Sequence, residues 1–283
     1  DGAPDRYVTV EPVRAVAADN SHAVARELAG ARLAATCVGG GAFPAVISAI
    51  ARACSAPLDI ILAENIHGAA DRARAVLASQ GLAQHRAAAA CGFVEASIGK
   101  MVPIMPEELR RQDPLVVWAE PYNTLIVDGD AFRNGVPDVP DLYPVSPIAP
   151  WVDRKLYIHN LGHAAAAYLG YRREPAAEFI WEVLQDREVA AGVRAAMLRS
   201  AEALGRTYPE SFSRSDLFEH VEDLLARFAN RALGDSLYRV GRDLPRKLRR
   251  DDRIVGAVAM VMKAGLDPAP ILEVFCAAVA FAR

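Results

Sequence analysis

The sequence predicts an α/β region with a mostly parallel, doubly wound sheet, followed by an all-α region. Two observations carry this. Through the first half, short apolar runs that end in glycine or Glu-Asn alternate with stretches of helical periodicity, the order that parallel strands with crossover helices require. After Pro150 the strand signal stops and long helical patterns take over. Between them Gly135–Pro150 holds five prolines, a natural connection, so the expected domains are 1–150 and 151–283.

Arg32–Val38 reads as a buried strand ending at Gly39-Gly40-Gly41, with a helix over Pro44–Ala53. Leu58–Ala63 is a second strand, ending at Glu64-Asn65, and a helix follows over Gly68–Gln80. Further strands are expected at Ala90–Ile98, Leu115–Ala119 and Thr124–Val127. The second half reads as helices over Val152–Leu169, Ala176–Gln185, Val189–Leu204, Ser215–Arg227, Ile254–Ala264 and Ala269–Ala282.

With 283 residues, 52% of them apolar, and a net charge of −3, the chain has the balance of a globular protein. It lacks the basic excess of a nucleic-acid binder. No apolar run reaches membrane-spanning length; the longest candidate is interrupted by Gly256 and Lys263. Asp1–Arg6 does not have the form of a signal peptide. Cys37, Cys54, Cys91 and Cys276 are scattered without a CxxC pair, which suits a reducing cytoplasm and argues against zinc.

The segment richest in chemistry is Lys155-Leu-Tyr-Ile-His-Asn-Leu-Gly-His163. At about 100° per residue, Lys155 and His163 lie about 80° apart and Asn160 about 60° beyond His163, so all three share one side of a helix. A neutral lysine can take a proton from a hydroxyl, while amide and imidazole groups hold the oxygen on which charge develops. That set suits alcohol–ketone chemistry without a metal. His159 falls on the same face, and spacing does not choose between the histidines. Taken singly, each residue also fits a structural role: a snorkelling lysine, an asparagine bonding a neighbouring carbonyl, a satisfied core histidine.

In open α/β sheets ligands bind beyond the carboxyl ends of the strands. Two ends stand out here. Gly39-Gly40-Gly41 would admit a ligand close to the backbone or simply turn the chain. Asn65 could reach into a cleft or cap the next helix. No G-x-G-x-x-G lies between a first strand and a first helix, and no Walker A sequence is present.

Lys155-x4-Asn160-x-Gly162-His163, with Ala164, Tyr168, Leu169 and Gly170, resembles the signature of the polyol-specific long-chain dehydrogenases. Thr36-Cys37-Val38-Gly39, Glu64-Asn65, Gly92-Phe93-Val94-Glu95 and Val102-Pro103 are similar to other stretches of that family, in the same order. Arg239-Val240-Gly241-Arg242, Arg246-Lys247-Leu248 and Asp252-Arg253 resemble its sugar-phosphate branch. The resemblance implies an incomplete Rossmann-type sheet domain, a C-terminal multi-helix domain and NAD as cofactor. Hydride would pass between the nicotinamide and a sugar phosphate of the fructose-6-phosphate type, whose product is a polyol phosphate.

Lys155 would be the general acid/base, with Asn65 and Asn160 on the substrate oxygen and His163 on a hydroxyl; this favours His163 over His159. Val38, Gly39, Glu64 and Asn65 would face the cofactor, and Arg239, Arg242, Arg246 and Lys247 supply the phosphate ligands. A monomeric cytoplasmic enzyme with a small-molecule substrate is implied, without nucleic acid, membrane or metal. The chain departs from the family in two respects: Gly99-Lys100 stands where members carry Asp-Arg, and the glycine loop is missing, which implies further chain upstream of Asp1. Alternatives within the resemblance are a hexuronate or free-polyol dehydrogenase, or a non-catalytic sugar-phosphate-binding remnant. Schiff-base chemistry at Lys155 is a third.

Overall fold

The computed structural model describes residues 8–83 and 89–281. The expectations for Asp1–Arg6 and for the last helix end at Ala282 lie outside these. Packing divides the chain into two units, residues 1–95 with 131–137, and residues 96–130 with 138–283.

In the first unit, Asn20 caps helix α1 (Ser21–Ala29), accepting from the Ala23 amide. Strand β1 (Leu33–Thr36) leads into α2 (Gly39–Ala53). The helix begins five residues before the expected Pro44, because the glycine run forms its first turn instead of a loop. Gly39 makes the entry at φ +77°, a conformation that favours glycine. Pro44 has no N–H to give the Gly40 carbonyl, and Arg72 donates to that oxygen at 3.1 Å instead. Strand β2 (Leu58–Leu62) is buried at every residue, as its run, apolar apart from Asp59, leads one to expect. Helix α3 (Ala69–Ser79) then returns the chain to β3 (Cys91–Ile98). β1, β2 and β3 pair in parallel. Phe43, Ile47 and Ala51 of α2 and Ala73 and Leu77 of α3 form the unit's core with Leu58, Ile60, Leu62 and Phe93.

β3 enters the second unit after Glu95. There it pairs with β4 (Leu125–Asp128) in antiparallel sense, and β4 pairs in parallel with β5 (Leu142–Val145). The strand order is β1-β2-β3-β4-β5. Two expectations need correction here. Leu115–Ala119 forms no strand: Leu115, Val117 and Trp118 are exposed, and the apolar run has no partner to bury it. β5 forms inside the proline-rich stretch. Pro144 fits because an edge strand tolerates the missing donor. A short helix, α4 (Glu107–Gln112), precedes the exposed segment.

The remaining chain is helical: α5 (Ala149–Arg154), a π-helical turn (Lys155–Asn160), α6 (Leu161–Arg173), α7 (Ile180–Val183), α8 (Arg187–Thr207), α9 (Arg214–Phe228), α10 (Leu237–Gly241), α11 (Leu244–Lys247), α12 (Val255–Lys263) and α13 (Ala269–Val279). The expected helix at Ala176–Gln185 shrinks to α7. Helix α6 is the axis of this unit, packing on α8, α10 and α13. Its run Ala164–Ala167 is almost wholly buried; small side chains let neighbouring helices approach closely. Gly162 lies against Met197 and Gly170 against Val183, so a side chain at either position would collide. Among the described residues, no helix is long and apolar enough to cross a membrane.

Candidate active site

The single helix expected over Val152–Leu169 is present but not uniform. Lys155–Asn160 winds as a π-helix between α5 and α6, so the 100° progression behind the one-face reading does not hold through these residues. Wide turns of this kind are uncommon and recur at functional sites. Ser200 of α8, fully buried, donates to the Tyr157 carbonyl at 2.6 Å and ties the turn to its neighbour. Tyr157 also meets the start of α12: a Cβ on Gly256 would stand 2.8 Å from the Tyr157 ring.

Burial first, and repulsion from Arg253 second, bring the Lys155 ammonium down to about 8. Such a lysine exists in both protonation states near neutral pH. Asn160 and His159 are buried beside it in the chain. His159 is held neutral by burial first, then by neighbouring basic groups, Lys155 and Arg227 among them, and its ring meets Phe228 edge-on at 5.5 Å. His163 stacks flat on Phe228 of α9, 4.8 Å between centroids and 5° between planes. Burial, then Arg239, Arg253 and Lys247, push His163 down to about 3. Its Nε2 lies 2.9 Å from Asp235 Oδ2 but is not aligned as a hydrogen bond. The carboxylate therefore does not reverse the shift, and the ring is neutral.

The four basic candidates fare differently. Arg239 pairs with the buried Asp235, four residues earlier. Lys247 is buried, donating to the Val240 carbonyl at 2.6 Å and to the Arg242 carbonyl, so it closes the end of α10. Burial and then Arg253 lower its ammonium to about 8. Arg246 sits between Asp243 and Asp252. Arg242 is exposed.

In the first unit, Glu64 is buried and binds two backbone amides at once: Val38 N–H to Oε1 at 2.8 Å and Gly39 N–H to Oε2 at 2.9 Å. Three of the four cofactor candidates are thus bonded to one another. The carboxylate satisfies donors that open at the start of α2. Glu95, at the first-unit end of β3, repeats the device on α3 by accepting from the Ala69 amide at 3.2 Å; burial raises its carboxyl. Asn65 stands exposed at the end of β2.

Several groups escaped the sequence reading. Asp235, Phe228 and Ser200 shape the site, and only the Asp235-x3-Arg239 spacing gave a readable signal. Gly99-Lys100, the departure noted above, is structural. Lys100 Nζ donates to the carbonyls of Glu120 and Tyr122. Arg227 of α9 binds the Glu120 carboxylate through Nε at 2.9 Å and the Gly99 carbonyl at 2.5 Å. Among the described residues, no group of histidine, cysteine and acidic side chains could hold a metal ion.

The family model of the mannitol dehydrogenase Rossmann domain matches residues 3–141, and that of the mannitol dehydrogenase C-terminal domain matches residues 147–283. A mannitol-1-phosphate 5-dehydrogenase of Brevibacillus brevis is 31% identical over 96% of this chain and 71% of its own length. One from Arthrobacter is 33% identical over 96% and 71%. In fold, the chain is similar to Pseudomonas fluorescens mannitol 2-dehydrogenase, solved with NAD and D-mannitol (TM-score 0.70, 19% identity), covering 93% of this chain but 62% of that one. A D-sorbitol dehydrogenase structure gives a TM-score of 0.75 at 16% identity, covering 93% of this chain and 63% of its own. The chain belongs to the mannitol dehydrogenase family of oxidoreductases.

Proposed function

We propose that this chain moves a hydride between NAD and a sugar phosphate, interconverting a polyol phosphate of the mannitol-1-phosphate type and a ketose phosphate of the fructose-6-phosphate type. The observation that carries the reading is Lys155, half-buried in a π-turn with its ammonium brought down to about 8. The names of the curated relatives support the phosphorylated substrate. The NAD complex of the structural neighbour supports the cofactor.

Neutral Lys155 Nζ takes the proton of the substrate hydroxyl as the hydride leaves the same carbon, and returns it in the reverse direction. NAD, when bound, accepts that hydride. Asn160 and Asn65 donate to the substrate oxygen, and neutral His163 bonds a neighbouring hydroxyl without adding charge. Val38, Gly39 and Asn65, exposed at the carboxyl ends of β1 and β2, fit the cofactor side. Glu64 fixes their backbone instead of leaving amides open for a phosphate. Residues 1–150 serve the cofactor and 151–283 the substrate, in a cytoplasmic monomer that needs no metal.

The test is NADH oxidation by the purified polypeptide with fructose 6-phosphate. Turnover with fructose or fructuronate alone would move the chain to another branch, and turnover with none of them would sink the reading.

A further inference from the structure

Arg253 is a buried cation to which the chemistry above gives no ligand. It is 8% exposed, and such burial of a guanidinium requires partners. Its backbone N–H and its Nε both go to Asp252 Oδ1, at 2.7 and 2.8 Å. Asp252 is itself shared with Arg246. The Nη edge of the guanidinium receives no hydrogen-bond acceptor among the described residues.

Its place is fixed by the chain around it. Arg253 directly precedes Ile254, the cap residue of α12, and the first turn of that helix presses Gly256 onto Tyr157 of the π-turn. The cation therefore stands beside the segment that carries Lys155. Its field agrees, since it lowers the proton affinity of Lys155, His163 and Lys247, groups on three different elements. Arg239, Arg246, Lys247 and Arg253, four cations, share three carboxylates, Asp235, Asp243 and Asp252. An anion is the ligand that such an excess of cations accepts.

We propose that the Nη edge of Arg253 receives the phosphate of the substrate, making Arg253 the residue that separates sugar phosphates from free sugars. This rests on the sugar-phosphate reading above. The other basic side chains are less suited. Lys247 holds two carbonyls, Arg246 lies between two carboxylates and Arg239 is tied to Asp235. Arg253 alone is buried with one edge fixed and a planar pair of donors left over, the geometry that bidentate phosphate binding uses.

The experiment compares kcat/KM for fructose 6-phosphate and for fructose in wild type, Arg253→Met, Arg253→Lys and the exposed control Arg250→Ala. With Arg253→Met, KM for fructose 6-phosphate should rise about 10- to 100-fold, the worth of a charge-assisted pair. Turnover of fructose, which loses only the effect of this charge on Lys155, should fall far less, so that the ratio of the two kcat/KM values shifts at least about tenfold. Arg253→Lys, which keeps the charge and the bond to Asp252 but loses the fork, should fall between. Arg250→Ala should match wild type. Equal losses on both substrates would assign Arg253 to the tuning of Lys155 and overturn the proposal, as would an unchanged KM for the phosphate. Should Arg253→Met fail to fold, as thermal unfolding would reveal, Arg253→Lys decides by the same ratio. A wild type inactive on fructose 6-phosphate but active on fructose would refute the underlying reading; a wild type active on both leaves only the subsite at stake.

Discussion

At the carboxyl ends of β1 and β2, the groups that would meet a ligand are exposed and tied by hydrogen bonds. In the π-turn they are buried or half-buried and tied by packing. Glu64 holds Val38 and Gly39 through two backbone amides, and Asn65 beside it is open to solvent. Around Lys155, the ring of Phe228, the hydroxyl of Ser200 and the close approach of Gly256 set the positions. The difference teaches what each region is built to supply. An exposed, hydrogen-bonded ledge fixes backbone shape. A turn sunk among packed side chains shifts proton affinities through desolvation and nearby charge, which acid–base chemistry needs.

The largest expected effect comes from removing the one group on which the second region depends. Lys155→Met should lower kcat by roughly 10²–10⁴-fold, the range for a lost general acid/base, while the protein stays folded. A Lys155→Met enzyme with more than a tenth of wild-type kcat would show that the turn does not carry the proton transfer. The matching change on the ledge, Asn65→Ala, should instead leave the pH profile in place.

The pH dependence separates the regions next. Polyol oxidation needs neutral Lys155, so kcat/KM should rise with pH and level off above about 8, about tenfold per pH unit below that point; ketose reduction should run the opposite way. Stability is linked with a definite sign. The folded-state lysine is lowered from 10.5 to about 8. Between those values the unfolded chain binds more protons, and stability rises with pH across this window. Lys155→Met should flatten both profiles. His163, at about 3, should add no inflection near 6.5. An inflection there that survives in Lys155→Met would contradict the buried neutral ring.

Much of this was legible in the sequence, and the reasons differ by region. β2 announced itself because five buried residues in a row are apolar apart from Asp59. That aspartate is retained because its carboxylate accepts from the Arg133 and Asn134 amides, 2.7 and 3.0 Å away. Lys155, Asn160 and His163 could be named because polar residues in an apolar helix are conspicuous. The π-turn could not be read, because i→i+5 winding has no composition of its own and arises from the contacts of Tyr157 with α8 and α12. β5 was hidden by its prolines, and Leu115–Ala119 misled because β propensity without a partner strand does not form a ladder. Arg253 looked like one more charge in a basic stretch; its burial depends on α12, which local spacing does not place.

A smaller effect tests the ledge. Glu64→Ala removes the acceptor of two amides at the start of α2 and should cost about 0.5–1.5 kcal/mol, the net worth of a hydrogen bond whose donors, at exposed residues, can turn to water. It should also raise the KM for NADH with little change in the pH profile. Glu95→Ala removes the like contact on α3 and should cost less, since burial already raises that carboxyl and its bond to Ala69 is longer. Equal stability of Glu64→Ala and wild type by denaturant unfolding would show that the two bonds do not hold the strand end.

The smallest change in stability, and the sharpest contrast, is expected of Gly256→Ala. A methyl there meets the edge of the Tyr157 ring at 2.8 Å from Cε1 and 3.0 Å from the hydroxyl. The ring must move, at a cost of about 1–3 kcal/mol for an overpacked contact. Against this, alanine favours a helix over glycine by about 1 kcal/mol, and Tyr157, only half-buried, has room to give. The two terms nearly cancel, so thermal unfolding should shift by only a few degrees. Activity should not be spared, because the displaced ring belongs to the turn that sets Lys155. A several-fold fall in kcat, with the pH inflection moved from about 8, is the expected signature of a site held by shape. Unchanged kcat and unchanged inflection would mean that Ser200 and the Phe228 stack suffice, and that α12 acts on this site through the charge of Arg253 alone.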